Sequence, residues 1–119
     1  MSTTDDTPLP ESISIDESRT LLASGRGILV DIREPFEHAN GVAEGATLLP
    51  MSQLRERLPE LPEGSEEQPV LIICNTQNRS GAVVAALRQQ LGRSHVHIVR
   101  GGMSEWARRQ LPLVRPPEP

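Results

Sequence analysis

A chain of 119 residues with a net charge of −4 has room for one domain and one modest core, and it excludes a two-domain architecture. All twelve cationic residues are Arg, so a Schiff base on lysine and the lysine of a Walker phosphate loop are both ruled out. No block of like charge argues for nucleic acid or an anionic membrane, and the single cysteine cannot form an intrachain disulfide.

In chain order, residues 1–10 are polar and acidic and are expected to form a flexible tail, as are residues 115–119 with their prolines; the folded body is expected at 11–114. No basic start followed by an apolar run is present, and a cytoplasmic location is the expectation. Ser12 to Ile15 alternates at period two and predicts a short strand. Asp16 is placed to cap a helix that Gly25 ends. Gly27 to Asp31 is an apolar run closed by an acid, the pattern of a buried strand. Glu34 to Ala39 suits one helical turn, with Pro35 near its start. Thr47 to Leu49 is a further strand, and Ser52 is expected to cap a helix through Leu58. The strongest strand pattern is Val70 to Cys74, with no polar residue before the cysteine. Arg79 to Leu91 is the clearest helix, stopped by Gly92. His95 to Val99 is another strand, and Ser104 is placed to cap a last helix before Pro112.

Strand and helix in regular alternation predict an α/β fold with a mainly parallel sheet covered on both faces. Ligands of such folds gather beyond the carboxyl ends of the strands, where Cys74 stands. An apolar strand, the short loop CNTQNRS and an amphipathic helix follow one another there. Amides of a tight loop opening a helix form an anion-binding nest, to which the helix dipole adds partial positive charge. A thiol facing that nest is stabilised as thiolate, and the same donors suit a terminal sulfane sulfur. Arg79 can orient loop carbonyls or meet an anionic substrate with its planar fork, and Ser80 offers one more hydrogen bond. Taken alone, a cysteine ending a buried strand is more often an inert small hydrophobe.

Three separated segments resemble the rhodanese family. DIREPFEHANGVAEGA, from Asp31 to Ala46, is similar to the family's Asp-x-Arg-Glu segment with its following Gly-Ala pair. CNTQNRS, from Cys74 to Ser80, resembles the active-site loop Cys-x4-Arg-Ser, and GGMSEWARRQLP, from Gly101 to Pro112, resembles the closing Gly-Gly, Trp and Leu-Pro segment. The resemblance implies a five-stranded mainly parallel sheet with helices on both faces and the cysteine strand central. It implies a sulfurtransferase in which Cys74 takes sulfur from a small donor as a persulfide and yields it to a thiol, including a partner-protein thiol, or to cyanide. Neither metal nor cofactor is needed. Asn75, Thr76, Gln77, Asn78 and Ser80 would line the substrate loop.

The rival readings are a non-catalytic rhodanese-like binding module and, with less support, a phosphatase or arsenate reductase. Related phosphatases place five residues between Cys and Arg, and the four found here make a smaller cradle. Many family loops carry Gly two residues before the Arg, where this chain has Gln77; a left-handed φ there would cost about 1 kcal/mol or more. The loop also carries no charge, and an uncharged rim stabilises dianionic thiosulfate less; polysulfide or a persulfide on another protein is an equally plausible donor.

Asp31 and Arg33 are expected to support the site. Asp31 would orient loop groups or Arg33, or fix the following turn; Arg33 could instead pair with Glu34 or Glu37. His95 and His97 share a strand face but lack a third ligand at a fitting spacing, and a solvated or packed pair is expected. His38 is expected at the surface, and Trp106 in the core.

Overall fold

The structure, a computed structural model, describes residues 9–116, so most of the two expected tails lies outside the described residues. Elements run in the order β1 (Ser12–Ile13), α1 (Ile15–Ala23), β2 (Ile28–Asp31), α2 (Pro35–His38), β3 (Val42–Ala43) and β4 (Thr47–Leu48). Two 3-10 turns, Met51–Gln53 and Leu58–Glu60, lead to β5 (Val70–Ile73), α3 (Asn78–Leu91), β6 (Val96–Val99), α4 (Gly102–Arg108) and β7 (Leu113–Val114). Five strands form a parallel sheet in the order β1-β6-β5-β2-β4, which puts the strand leading into Cys74 at the centre. β3 and β7 pair antiparallel as a separate two-stranded ribbon.

Alternation along β5 divides the interior into two layers. Val70, Ile72 and Cys74 join Val83, Val84 and Leu87 of α3, while Leu71 and Ile73 pack with Leu21 of α1 and Met103 and Trp106 of α4. All four β5 side chains are fully buried, each contributing about 1.5–3 kcal/mol of hydrophobic stabilisation. α3 buries Val83, Val84 and Leu87 at helical spacing and ends where Gly92 turns left-handed, at φ 66°. No helix among the described residues is long and apolar enough to cross a membrane.

Several boundaries differ from the sequence expectation. The first strand stops at Ile13 because Ser14, not Asp16, caps α1: its hydroxyl accepts from the Glu17 amide at 3.0 Å. Ser52 caps no helix. Its N–H and hydroxyl both donate to the Glu34 carboxylate, at 3.1 and 2.6 Å, and only 3-10 turns form there. The last helix begins at Gly102, two residues before Ser104, because Gly101 and Gly102 adopt φ of 83° and 58° and turn the chain directly into it.

Candidate active site

Residues beyond the carboxyl ends of β5 and β2 assemble around Cys74. The parallel register sets Asp31 beside Ile73, and the Ile32 amide donates to the Ile73 carbonyl at 3.0 Å. Cys74 is 1% exposed and belongs to the core layer under α3. Its sulfur nevertheless faces a donor at the helix mouth: the Ser80 amide donates to Sγ at 3.3 Å. The thiol in turn donates to the Ser80 hydroxyl at 3.4 Å, and that hydroxyl can rotate to donate once the sulfur is anionic.

The loop itself is held from outside. Amides of Met103 and Ser104, in the first turn of α4, donate to the carbonyls of Cys74 and Asn75 at 2.8 and 2.7 Å. In a trans peptide the N–H opposes the C=O, so the amides of Asn75 and Thr76 turn away from α4. Among the described residues, the amides of Asn75, Thr76, Gln77, Asn78 and Arg79 donate to no protein acceptor. These donors lie at the start of a 14-residue helix.

Gly102 makes this fastening feasible. A Cβ there would overlap the carbonyl oxygens of Cys74 and Thr76, so the two backbones meet at a distance only glycine allows. The sequence signal for it was the Gly-Gly doublet of the closing segment, noted only through the family resemblance. Gln77 has φ −159°, so no left-handed strain arises from the missing glycine. Its side-chain oxygen instead accepts from the Gly101 amide at 3.3 Å, a second tie between the loop and the turn into α4. Asn75, Thr76, Gln77 and Asn78 are all exposed, and Ser80 is buried.

Arg79 does not point its fork at the loop carbonyls. Both terminal nitrogens donate to Glu37 of α2, Nη1 to Oε1 at 2.7 Å and Nη2 to Oε2 at 2.8 Å. The Arg79 hydrogen bonds hold the Glu37 carboxyl well below its ordinary range, at about 2, with help from the Glu34 amide and against the opposing effect of burial. Glu37 also accepts from the Glu34 amide at 3.0 Å, completing a capping box across α2. Forty-two residues separate the pair, and no local pattern announces it.

Arg33 pairs with Asp31, not with Glu34 or Glu37. Asp31 is fully buried and accepts from the Arg33 amide at 3.0 Å, from Nε at 3.1 and 3.2 Å and from Nη2 at 2.9 Å. Nη2 donates as well to the Gly41 carbonyl at 2.9 Å, so both roles foreseen for Asp31, fixing the turn and orienting Arg33, are combined in one carboxylate. His38 is buried rather than at the surface, because α2 folds back over this cluster. Its Nε2 lies 3.4 Å from Asp31 Oδ1 and makes no hydrogen bond. A cleft of about 420 Å3 runs beside the loop, with Arg33, Glu37, Asn75, Ser104 and Leu113 in its walls.

His97 is packed rather than solvated: it is buried, with Nδ1 2.8 Å from the Pro10 carbonyl oxygen, and burial pushes its pKa below the usual value. Trp106 is buried as expected and donates its ring N–H to the Pro112 carbonyl at 2.9 Å.

Residues 14–109 match the family described as the rhodanese-like domain. A protein of Allochromatium vinosum named sulfurtransferase is 42% identical over 89 residues, covering 75% of this chain and 79% of its own. A rhodanese-related protein of Thermoplasma volcanium superposes with a TM-score of 0.75 at 30% identity, over 88% of this chain and 98% of its own. The human single-domain sulfurtransferase TSTD1 does so with a TM-score of 0.67 at 27% identity, over 85% and 98%.

Proposed function

Because the chain belongs to the rhodanese-like domain family, we propose that it is a sulfurtransferase carrying one sulfane sulfur as a persulfide on Cys74. The observation that carries this reading is the Ser80 amide aimed at Sγ from the helix mouth, a donor that a sulfur anion accepts more strongly than a neutral thiol.

In the first half-reaction the Cys74 thiolate attacks the outer sulfur of the donor. A sulfur–sulfur bond forms on Cys74, the donor's own sulfur–sulfur bond breaks, and its electron pair departs with the leaving group, sulfite in the case of thiosulfate. In the second, an acceptor thiolate or cyanide attacks the terminal sulfur and the Cys74 thiolate leaves. The unpaired amides of Asn75 to Arg79 are the donors available to the terminal sulfur's negative charge, and fixed amides give that stabilisation without reorganising. Asp31 and Arg33 hold the floor of the cleft and touch no reacting atom in this scheme.

Intact mass after incubation with thiosulfate, polysulfide or cysteine persulfide tests the proposal. The expected result is a gain of one sulfur, about 32 Da, that disappears with reductant and is absent from Cys74→Ser. No gain with any of the three donors overturns sulfur transfer and leaves a binding module. A Cys74-dependent turnover of an aryl phosphate would favour a phosphatase, a reading that the engagement of Arg79 by Glu37 speaks against.

Arg79→Ala is expected to slow loading by about 3- to 30-fold with the fold retained, because the loop loses its tie to α2 and small misplacements are costly. Unchanged loading kinetics would show that this tie does not set the loop.

A further inference from the structure

Neither of the two guanidiniums packed beside the Cys74 loop, those of Arg33 and Arg79, is left without a carboxylate. The loop residues Asn75, Thr76, Gln77 and Asn78 carry no charge. Arg33 is closed off by Asp31 and the Gly41 carbonyl. Arg79, the cation that ends the loop, meets Glu37 through two parallel bonds of 2.7 and 2.8 Å. The carboxylate is fixed from a second side by the Glu34 amide, so it is not free to swing aside for an incoming anion. It also lines the cleft that Asn75 borders. Held at about 2 by the Arg79 bonds, the Glu37 carboxyl stays ionised wherever thiolate chemistry runs.

We infer that Glu37 determines donor specificity: by cancelling the charge of Arg79 it sets the site against dianionic donors such as thiosulfate and in favour of persulfides carrying at most one net charge. The inference rests on the sulfur-transfer reading. Sulfite leaving through that cleft would carry two negative charges past this pair. An unmatched guanidinium would attract those charges, and a matched one does not. With cysteine persulfide the ammonium and carboxylate cancel, and the bond-breaking step concentrates no comparable charge at Arg79.

Glu37→Gln is the discriminating variant, because a glutamine oxygen can still accept from the Glu34 amide in the capping box while the negative charge is gone. Loading rates, read as the 32 Da gain, are measured with thiosulfate and with cysteine persulfide at two salt concentrations, about 0.05 and about 0.5 M. The expected result is a rise of about tenfold or more in the ratio of the thiosulfate to the cysteine persulfide loading rate, whatever common fall the weakened tie to α2 brings, and the rise shrinks at high salt. Glu37→Gln combined with Arg79→Gln should return the ratio of the two donors to that of the parent chain. Arg79→Gln alone, which bares the carboxylate, should shift the ratio further against thiosulfate.

A parallel fall with both donors in Glu37→Gln, or a donor ratio unmoved in both single variants, overturns the inference and makes the pair a purely mechanical support. If the parent chain gains no sulfur from either donor, sulfur transfer fails and the inference fails with it. Normal loading with an unmoved ratio sinks only the specificity role.

Discussion

Asp31→Ala is expected to lower the unfolding free energy by about 3–5 kcal/mol, a large part of the roughly 5–15 kcal/mol available to a domain of this size. The carboxylate is fully buried and the Arg33 side chain is only 7% exposed, so truncation leaves a guanidinium in the interior with the Gly41 carbonyl as its remaining acceptor. It also removes the acceptor of the Arg33 amide, which shapes the exit from β2. Denaturant titration measures the loss. The companion variant Asp31→Ala with Arg33→Ala should be less destabilised than the two separate effects summed, because the stranded charge is gone. A single-variant cost below about 1 kcal/mol would mean that the cluster relaxes into water and does not hold β2 in place.

Gly102→Ala is expected to slow sulfur loading by about 100-fold or more, through the backbone rather than through any lost side chain. At φ 58° an alanine is strained by about 1–2 kcal/mol, and its methyl group would occupy the space of the Cys74 and Thr76 carbonyl oxygens. Either the loop or α4 must move, and with it go the hydrogen bonds from Met103 and Ser104 that set the direction of the loop peptides. Gly92→Ala is the control. Gly92 has φ 66°, but a Cβ there meets nothing within 4 Å, so it should cost comparable backbone strain and leave loading unchanged. Equal effects from the two substitutions would reduce the role of Gly102 to strain alone.

What the residues disclose in advance follows the range of the forces involved. The cysteine strand and α3 were legible because an uninterrupted apolar run and a helical stripe are local patterns, and Gly92 marked the end of the helix. The central place of that strand came with the family likeness, and the sheet order bears it out. Caps were less legible. Ser14 and Asp16 are both good cap residues, and only the hydrogen bond from Glu17 decides between them. Glu37 was seen as a candidate partner for Arg33, yet it binds Arg79 across 42 residues; charge in a sequence says nothing about which opposite charge it will meet. His38 reads as a surface residue from its polar neighbours, whereas its burial depends on how α2 lies over Asp31. Gly102 shows the same limit: the glycine pair was visible in the closing segment, but not which backbone passes beneath it.

The fastening of Cys74 and Asn75 by α4 also bears on the order in which the molecule is made. Cys74 and α3 leave the ribosome before the segment that grips the loop carbonyls has been synthesised, and edge strand β1 likewise waits for β6, its pairing partner. A nascent chain lacking α4 can bury much of the α3 layer, but its loop peptides lack the two α4 amides that hold the Cys74 and Asn75 carbonyls. On the proposed sulfur-transfer reading, competence to load is therefore acquired only once α4 docks.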